Sequence, residues 1–239
     1  MSARADELAA DLDRVRQRLA AAEAAAGREP GSVRLVVVTK YFPASDVRLL
    51  AGLGVTDVGE NRHPEARDKK AECEDLGLVW HYIGGLQSNK AGQVGAYADV
   101  VESLDRPKLV ARLDRAAAER GRPLDVLLQV SLDGPGAGPG GSDGGRAGAE
   151  PDDLPALAAA VEAAEHLSLR GLMAVAPLGE DPATAFARLA ALREPFVRDH
   201  PGATALSAGM SGDLEQAVAA GATHVRVGSA ILGSRPATH

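Results

Sequence analysis

The chain has 239 residues, enough for one large domain, and 45% of them are apolar although only 3% are aromatic. Its interior must therefore be built from Ala, Val and Leu, which suits helices packed on a β-branched sheet. A formal net charge of −7 gives no general attraction to nucleic acid or to anionic membranes.

The single cysteine, Cys73, excludes an internal disulfide, and its charged neighbours Glu72, Glu74 and Asp75 in a helical setting raise a thiol pKa rather than activate it. A reducing cytoplasm is the expected compartment. Residues 1–7 hold no apolar signal core, and no run of about 18 uncharged apolar residues occurs, so a soluble, unexported protein is expected.

In chain order, Leu8, Leu12, Val15 and Leu19 recur at spacings of three and four before Gly27, which predicts an amphipathic helix over 5–26. Its pattern leaves open whether it covers the bottom of the domain or joins two subunits. Residues 33–39 form a continuous apolar, β-branched run, the mark of a strand covered on both faces. Lys40 ends that run, where sheets of this kind meet their ligands. A lysine reaching out to solvent is the plain role there; an amine activated by burial or a neighbouring cation is the chemical one.

Further short apolar runs at 57–59, 79–83, 99–102, 124–130, 168–173, 203–206 and 224–227 alternate with helical Ala/Arg/Glu-rich segments. Eight βα units in this length predict a closed (βα)8 barrel of the TIM type, with residues 1–239 as a single domain and the first helix as an addition. An open doubly wound sheet has the same alternation. Residues 133–150, rich in Gly, Pro, Ser and Asp, hold too few apolar side chains to offset ordering entropy and read as a flexible loop after the fifth strand. A linker between two domains is the competing reading.

Three features converge on the C-terminal rim of such a barrel: Lys40, the stretch Ser207-Ala208-Gly209-Met210-Ser211-Gly212-Asp213, and the stretch Val225-Arg226-Val227-Gly228-Ser229-Ala230. Loops after the seventh and eighth strands commonly form a phosphate site, where small residues let the backbone approach and the hydroxyls of Ser207, Ser211 and Ser229 add hydrogen bonds. Taken singly, each stretch also describes an ordinary helix cap. Arg226 lies between Val225 and Val227, so it points either inward, as a buried cation needing an acceptor, or outward to a helix carboxylate. His81 reads as a satisfied core histidine. The six histidines are scattered without ligand spacing, so no metal site is expected. No dinucleotide fingerprint, Walker loop or nucleophile elbow occurs.

Together, Val38-Thr39-Lys40, Gly59-Glu60-Asn61-Arg62, the run from His81 to Lys90, Gly171-Leu172-Met173, the run from Leu206 to Asp213, and Val225-Arg226-Val227-Gly228-Ser229 resemble the YggS family, the pyridoxal phosphate homeostasis proteins. The resemblance spans about residues 33–235. It implies a barrel like the alanine racemase N-terminal domain that carries pyridoxal 5′-phosphate (PLP) as an aldimine on Lys40. By the same resemblance, Arg226 is the partner of the pyridine nitrogen, Ser207, Gly209, Ser211, Gly228 and Ser229 form the phosphate region, and Asn61 sits beside the ring. His63-Pro64 departs from the family pattern and is expected to reshape the start of the following helix. The Gly-rich insertion replaces a shorter turn after the fifth strand.

Arginine can only donate, so an Arg226 partner favours an unprotonated ring and a weaker electron sink than a carboxylate partner gives. The chain ends at His239, directly after the eighth unit, leaving no length for the second domain of a racemase. The expectation is a non-catalytic PLP carrier, a monomer or weak dimer, that delivers the aldehyde to PLP-dependent apoenzymes. A single-domain racemase or lyase of low activity is the alternative, with Tyr41 or His81 as second acid/base, although Tyr41 is expected to point away from Lys40. A Schiff-base aldolase acting without PLP fits less well, because its lysine usually comes late in the barrel. Lys90 is read as a solvated charge rather than a second acceptor for the aldehyde.

Overall fold

The computed structural model describes residues 3–133 and 148–234. The chain opens with α1 (Ala3–Ala25) and then alternates β1 (Arg34–Val38), α2 (Ala44–Gly52), β2 (Asp57–Glu60), α3 (Glu65–Glu72), β3 (Val79–Tyr82), α4 (Ala91–Tyr97), β4 (Val100–Leu104) and α5 (Pro107–Glu119). The second half continues with β5 (Leu124–Gln129), α6 (Leu154–Glu162), β6 (Leu167–Met173), α7 (Pro182–Asp199), β7 (Ala205–Ser207), α8 (Leu214–Ala219), β8 (His224–Val227) and α9 (Ser229–Leu232). All eight strands are parallel, each pairs with the next, and β8 returns to β1 through Val36↔Arg226, so the sheet is a closed barrel rather than an open one. Thr39 falls just outside β1, and each strand lies within two residues of its predicted span.

Side-chain alternation divides the strands between two environments. On β5, Leu124, Val126 and Leu128 pack outward into the layer of helices, in one cluster with Leu109, Leu113 and Leu157. Leu127 faces the other way and meets Val100 and Met173 in a small apolar group. Most apolar burial thus lies between sheet and helices, and much of the barrel interior is left to polar side chains.

Helix α1 buries Leu8, Leu12, Val15 and Leu19 against Val47, Leu50, Leu214, Val218 and Ile231. It lies along the flank where the barrel closes, beside α2, α8 and α9, and not across the bottom. Each buried leucine there contributes about 2 kcal/mol from desolvation. The connection to β1 is fixed by the buried Glu23, whose carboxylate accepts the backbone N–H groups of Gly31 (2.9 Å) and Val33 (2.7 Å).

Of the Gly-rich insertion, residues 134–147 lie outside the described residues. On its far side, Ala149 prolongs β5 through a parallel bridge to Val130, donating to the Gln129 carbonyl at 2.7 Å and accepting from Ser131 N–H at 2.9 Å. Cys73 follows the last residue of α3 instead of lying within a helix; its thiol is pushed up by burial first, with the acidic neighbours Glu72 and Asp75 adding to it.

Candidate site at the end of the first strand

The backbone that carries Lys40 is held from two sides. Lys69, projecting from α3 and buried, donates from Nζ to the Thr39 carbonyl (2.9 Å) and to Glu60 Oε1 (2.5 Å). Thr39 adds its own hydroxyl to the same Glu60 oxygen at 2.6 Å. Glu65, one helical turn before Lys69, accepts the Tyr41 backbone N–H at 2.7 Å. Burial is the main influence on the Glu60 carboxyl and raises its pKa, although Lys69 and Thr39 act in the opposite direction. The start of α3 that supplies Glu65 follows His63 and Pro64; Pro64 occupies the N-cap and His63 stacks on Tyr97 at 5.9 Å.

Tyr41 adopts a positive φ of 71°, a conformation that costs a non-glycine residue energy. This backbone turn brings its ring to Lys40, contrary to the expectation that it points away. Lys40 Nζ lies 5.9 Å from the ring centroid and the Arg62 guanidinium 5.5 Å from it, so one aromatic ring meets two cations. At the end of β2, Asn61 Oδ1 is buried without a hydrogen-bond partner, as is Glu60 Oε2.

The barrel interior holds a chain of hydrogen bonds. Asp57 Oδ1 accepts from His81 Nε2 at 3.0 Å, and Glu102 Oε1 accepts from His81 Nδ1 at 2.7 Å. Ser207 donates to Glu102 Oε2 at 2.6 Å and accepts from Arg226 Nη1 at 2.7 Å. Arg226 Nη2 reaches the Ala174 carbonyl, just past β6, at 2.9 Å. Arg226 therefore points inward. His81 is the core histidine read from the sequence, but a doubly acceptor-bound one, and only the imidazolium satisfies two carboxylates at once. Burial alone lowers its pKa; the hydrogen bonds to Asp57 and Glu102 outweigh that and hold it up at about 9. Burial opposes ionisation of Glu102, yet His81 and Arg226 bring its carboxyl down to about 2.

Ser207, the last residue of β7, is fully buried, and its hydroxyl bonds Glu102 and Arg226. Pairing with β8 turns this side chain into the barrel, a direction that composition does not reveal. Ser211 and Ser229 do come together, Oγ to Oγ at 3.2 Å, joining the loops after β7 and β8. Gly209 makes that approach with φ of 90°, where an added Cβ would lie 2.6 Å from Ala217 Cβ. Gly228 passes close under β1, and a Cβ there would stand 3.0 Å from the Val38 carbonyl. Sequence reasoning missed Asp57, Glu65, Lys69 and Glu102. The available signal was a charged residue inside an apolar run, as in Val100-Val101-Glu102. Among the described residues, no cluster of His, Cys, Asp or Glu suits a metal ion.

Residues 10–236 match the family described as alanine racemase, N-terminal domain. A pyridoxal phosphate homeostasis protein of Mycobacterium tuberculosis is 44% identical over 248 residues, covering 97% of this chain and 94% of that protein. The chain belongs to the pyridoxal phosphate homeostasis protein family. A family member from Escherichia coli is 36% identical over 243 residues, covering 96% of this chain and 97% of that protein. The solved structure of PipY from Synechococcus elongatus, with PLP bound, superposes with a TM-score of 0.80 at 37% identity, covering 95% of this chain and 100% of that one. D-threonine aldolase from Filomicrobium marinum, at 19% identity and a TM-score of 0.70 over 98% of this chain and 63% of that one, shares the fold. The fold inferred from the residue pattern and the family inferred from the motifs thus agree with these matches.

Proposed function

We propose that this chain binds PLP and serves intracellular PLP homeostasis, holding the aldehyde covalently through Lys40 Nζ and delivering it to PLP-dependent apoenzymes. The observation that carries the reading is the placement of Lys40: its amine stands at the C-terminal end of β1, on backbone clamped by Lys69 and Glu65. The neighbouring groups fit such a ligand chemically. Condensation of an amine with an aldehyde releases one water and needs no redox partner. Arg226 offers N–H donors to the ring nitrogen, and Asn61 Oδ1, buried without a partner, accepts from a polar ring substituent. Gly209, Ser211, Gly228 and Ser229 are assigned to the phosphate, where two adjoining loops bring hydroxyls and closely approaching backbone together. Ser207 is assigned to holding Arg226 instead.

PLP supplies an electron sink when bound, but the chain's own groups favour storage over turnover. An arginine keeps its proton, so Arg226 leaves the ring nitrogen a weak sink. Reversible condensation at an exposed rim permits hand-over to another amine. Among the described residues no helix is long and apolar enough to cross a membrane, which is compatible with the proposed cytoplasmic location. One observation favours a second reading, a racemase or lyase of low activity: the Tyr41 ring lies beside Lys40.

Absorbance spectra with added PLP test the proposal. Wild type is expected to gain a yellow band that borohydride bleaches, and Lys40→Ala is expected to lack it. An unchanged band in Lys40→Ala would refute the assignment. Retention of the alanine α-proton in deuterated water would argue against a racemase.

A further inference from the structure

Four charged side chains line up inside the barrel, from Asp57 on β2 through His81 and Glu102 to Arg226 on β8, with Ser207 as the link before the last. At its upper end this ladder finishes on the Ala174 carbonyl, past the C-terminal end of β6 and thus at the same end as Lys40. At the opposite end, His81 and Glu102 line a cavity of about 300 Å³ together with Arg34, Asp125, Arg170 and His224. These last four sit at or near the N-terminal halves of their strands, so the cavity reaches the middle of the ladder from beneath.

We infer that Glu102 and His81 are positioning residues for the cofactor, acting through Ser207 to set how much of the Arg226 positive charge reaches the ring. The inference rests on the PLP reading above. Glu102 Oε2 lies 3.9 Å from Arg226 Nη1 and shares the Ser207 hydroxyl with it, so it is the guanidinium's nearest counter-charge in the ladder. With two carboxylates, one imidazolium and one guanidinium, the ladder sums to zero. Removing Glu102 takes away the guanidinium's nearest counter-charge; removing the His81 charge leaves the carboxylates in excess. The other charged groups that face it are left in place by these substitutions, although His224 senses both Glu102 and His81. Arg34 pairs with Asp57 at 3.3 Å, Arg170 with Asp125 at 2.9 Å, Asp213 lies near Arg226, and burial lowers the pKa of His224 and favours its neutral form.

A positive charge near a protonated nitrogen lowers its pKa and a negative one raises it. The readout is the pH midpoint of the absorbance change of bound PLP, measured on the full chain loaded with PLP. Glu102→Gln is expected to lower this midpoint and His81→Gln to raise it, each by ~0.5 unit or more. Glu102→Asp is expected to restore it toward the wild-type value. Ser207→Ala keeps every charge but breaks the link, and is expected to move the midpoint down by less than Glu102→Gln does. Should either charge variant fail to fold, Ser207→Ala carries the test alone. Shifts of the same sign in the two charge variants, or no shift in Ser207→Ala, overturn the inference. A wild-type protein that takes up no PLP would instead refute the underlying reading.

Discussion

Raising the pH should destabilise this protein through His81, and the size of the effect follows from its two carboxylate partners. The folded imidazole titrates at about 9, against 6.5 for an unperturbed histidine. At about 1.4 kcal/mol per pH unit, that difference is worth ~3 kcal/mol of folding stability. The sign follows from proton binding: between these two values the folded chain keeps a proton that the unfolded chain has already released. The contribution is therefore complete below pH 6.5 and is lost as pH rises through about 9. Urea unfolding of wild type and His81→Gln at pH 6, 7.5 and 9.5 measures it. At pH 6 the variant is expected to be about 3 to 5 kcal/mol less stable, because Asp57 and Glu102 stay buried without their cation. By pH 9.5 the gap is expected to shrink by ~2 kcal/mol or more. The Cys73 thiol also titrates in the alkaline range, but it is common to both proteins and cancels in the difference. A gap that stays constant across this range would mean that His81 is neutral in the folded barrel, and the charged ladder would be wrong.

Three substitutions probe other parts of the account. Lys69→Met strips the Glu60 carboxylate and the Thr39 carbonyl of their buried donor; a loss of about 3 kcal/mol in urea unfolding is expected, recovered in part by adding Glu60→Gln. Gly228→Ala would press a methyl group against Val38 at the end of β1, with its Cβ 3.0 Å from the carbonyl oxygen. Slower PLP uptake at Lys40 is expected from stopped-flow absorbance, with about 1–3 kcal/mol of destabilisation by urea unfolding. Leu12→Ala opens a hole between α1 and the closing strands, and calorimetry is expected to register a loss of about 3 kcal/mol with PLP uptake unchanged.

Much of the architecture was legible because each element obeys a local rule. The β-branched run ahead of Lys40 and the leucine spacing of α1 are properties of single segments; eight such units predict a barrel, but the pairing of β8 with β1 is what decides closure over an open sheet. The direction of Ser207 was not legible, since both a strand end and a cap begin with a small hydroxyl residue; only the register with β8 turns it inward. Tyr41 was misread for a related reason. A positive φ at a tyrosine is imposed by the surrounding clamp of Glu65 and Lys69, contributed by a helix more than twenty residues further on. Asp57, His81 and Glu102 are separated in sequence and acquire their charge states from one another, so a local signal such as Val100-Val101-Glu102 marks a buried charge without announcing the ladder.

Hydride trapping of the PLP-loaded chain followed by peptide mass spectrometry addresses the central claim most directly. A phosphopyridoxyl mass increment is expected on the peptide containing Lys40, and on no other lysine at one equivalent of PLP. An adduct confined to Lys69 or Lys90, or the lack of any adduct in a protein that binds PLP, would contradict the account.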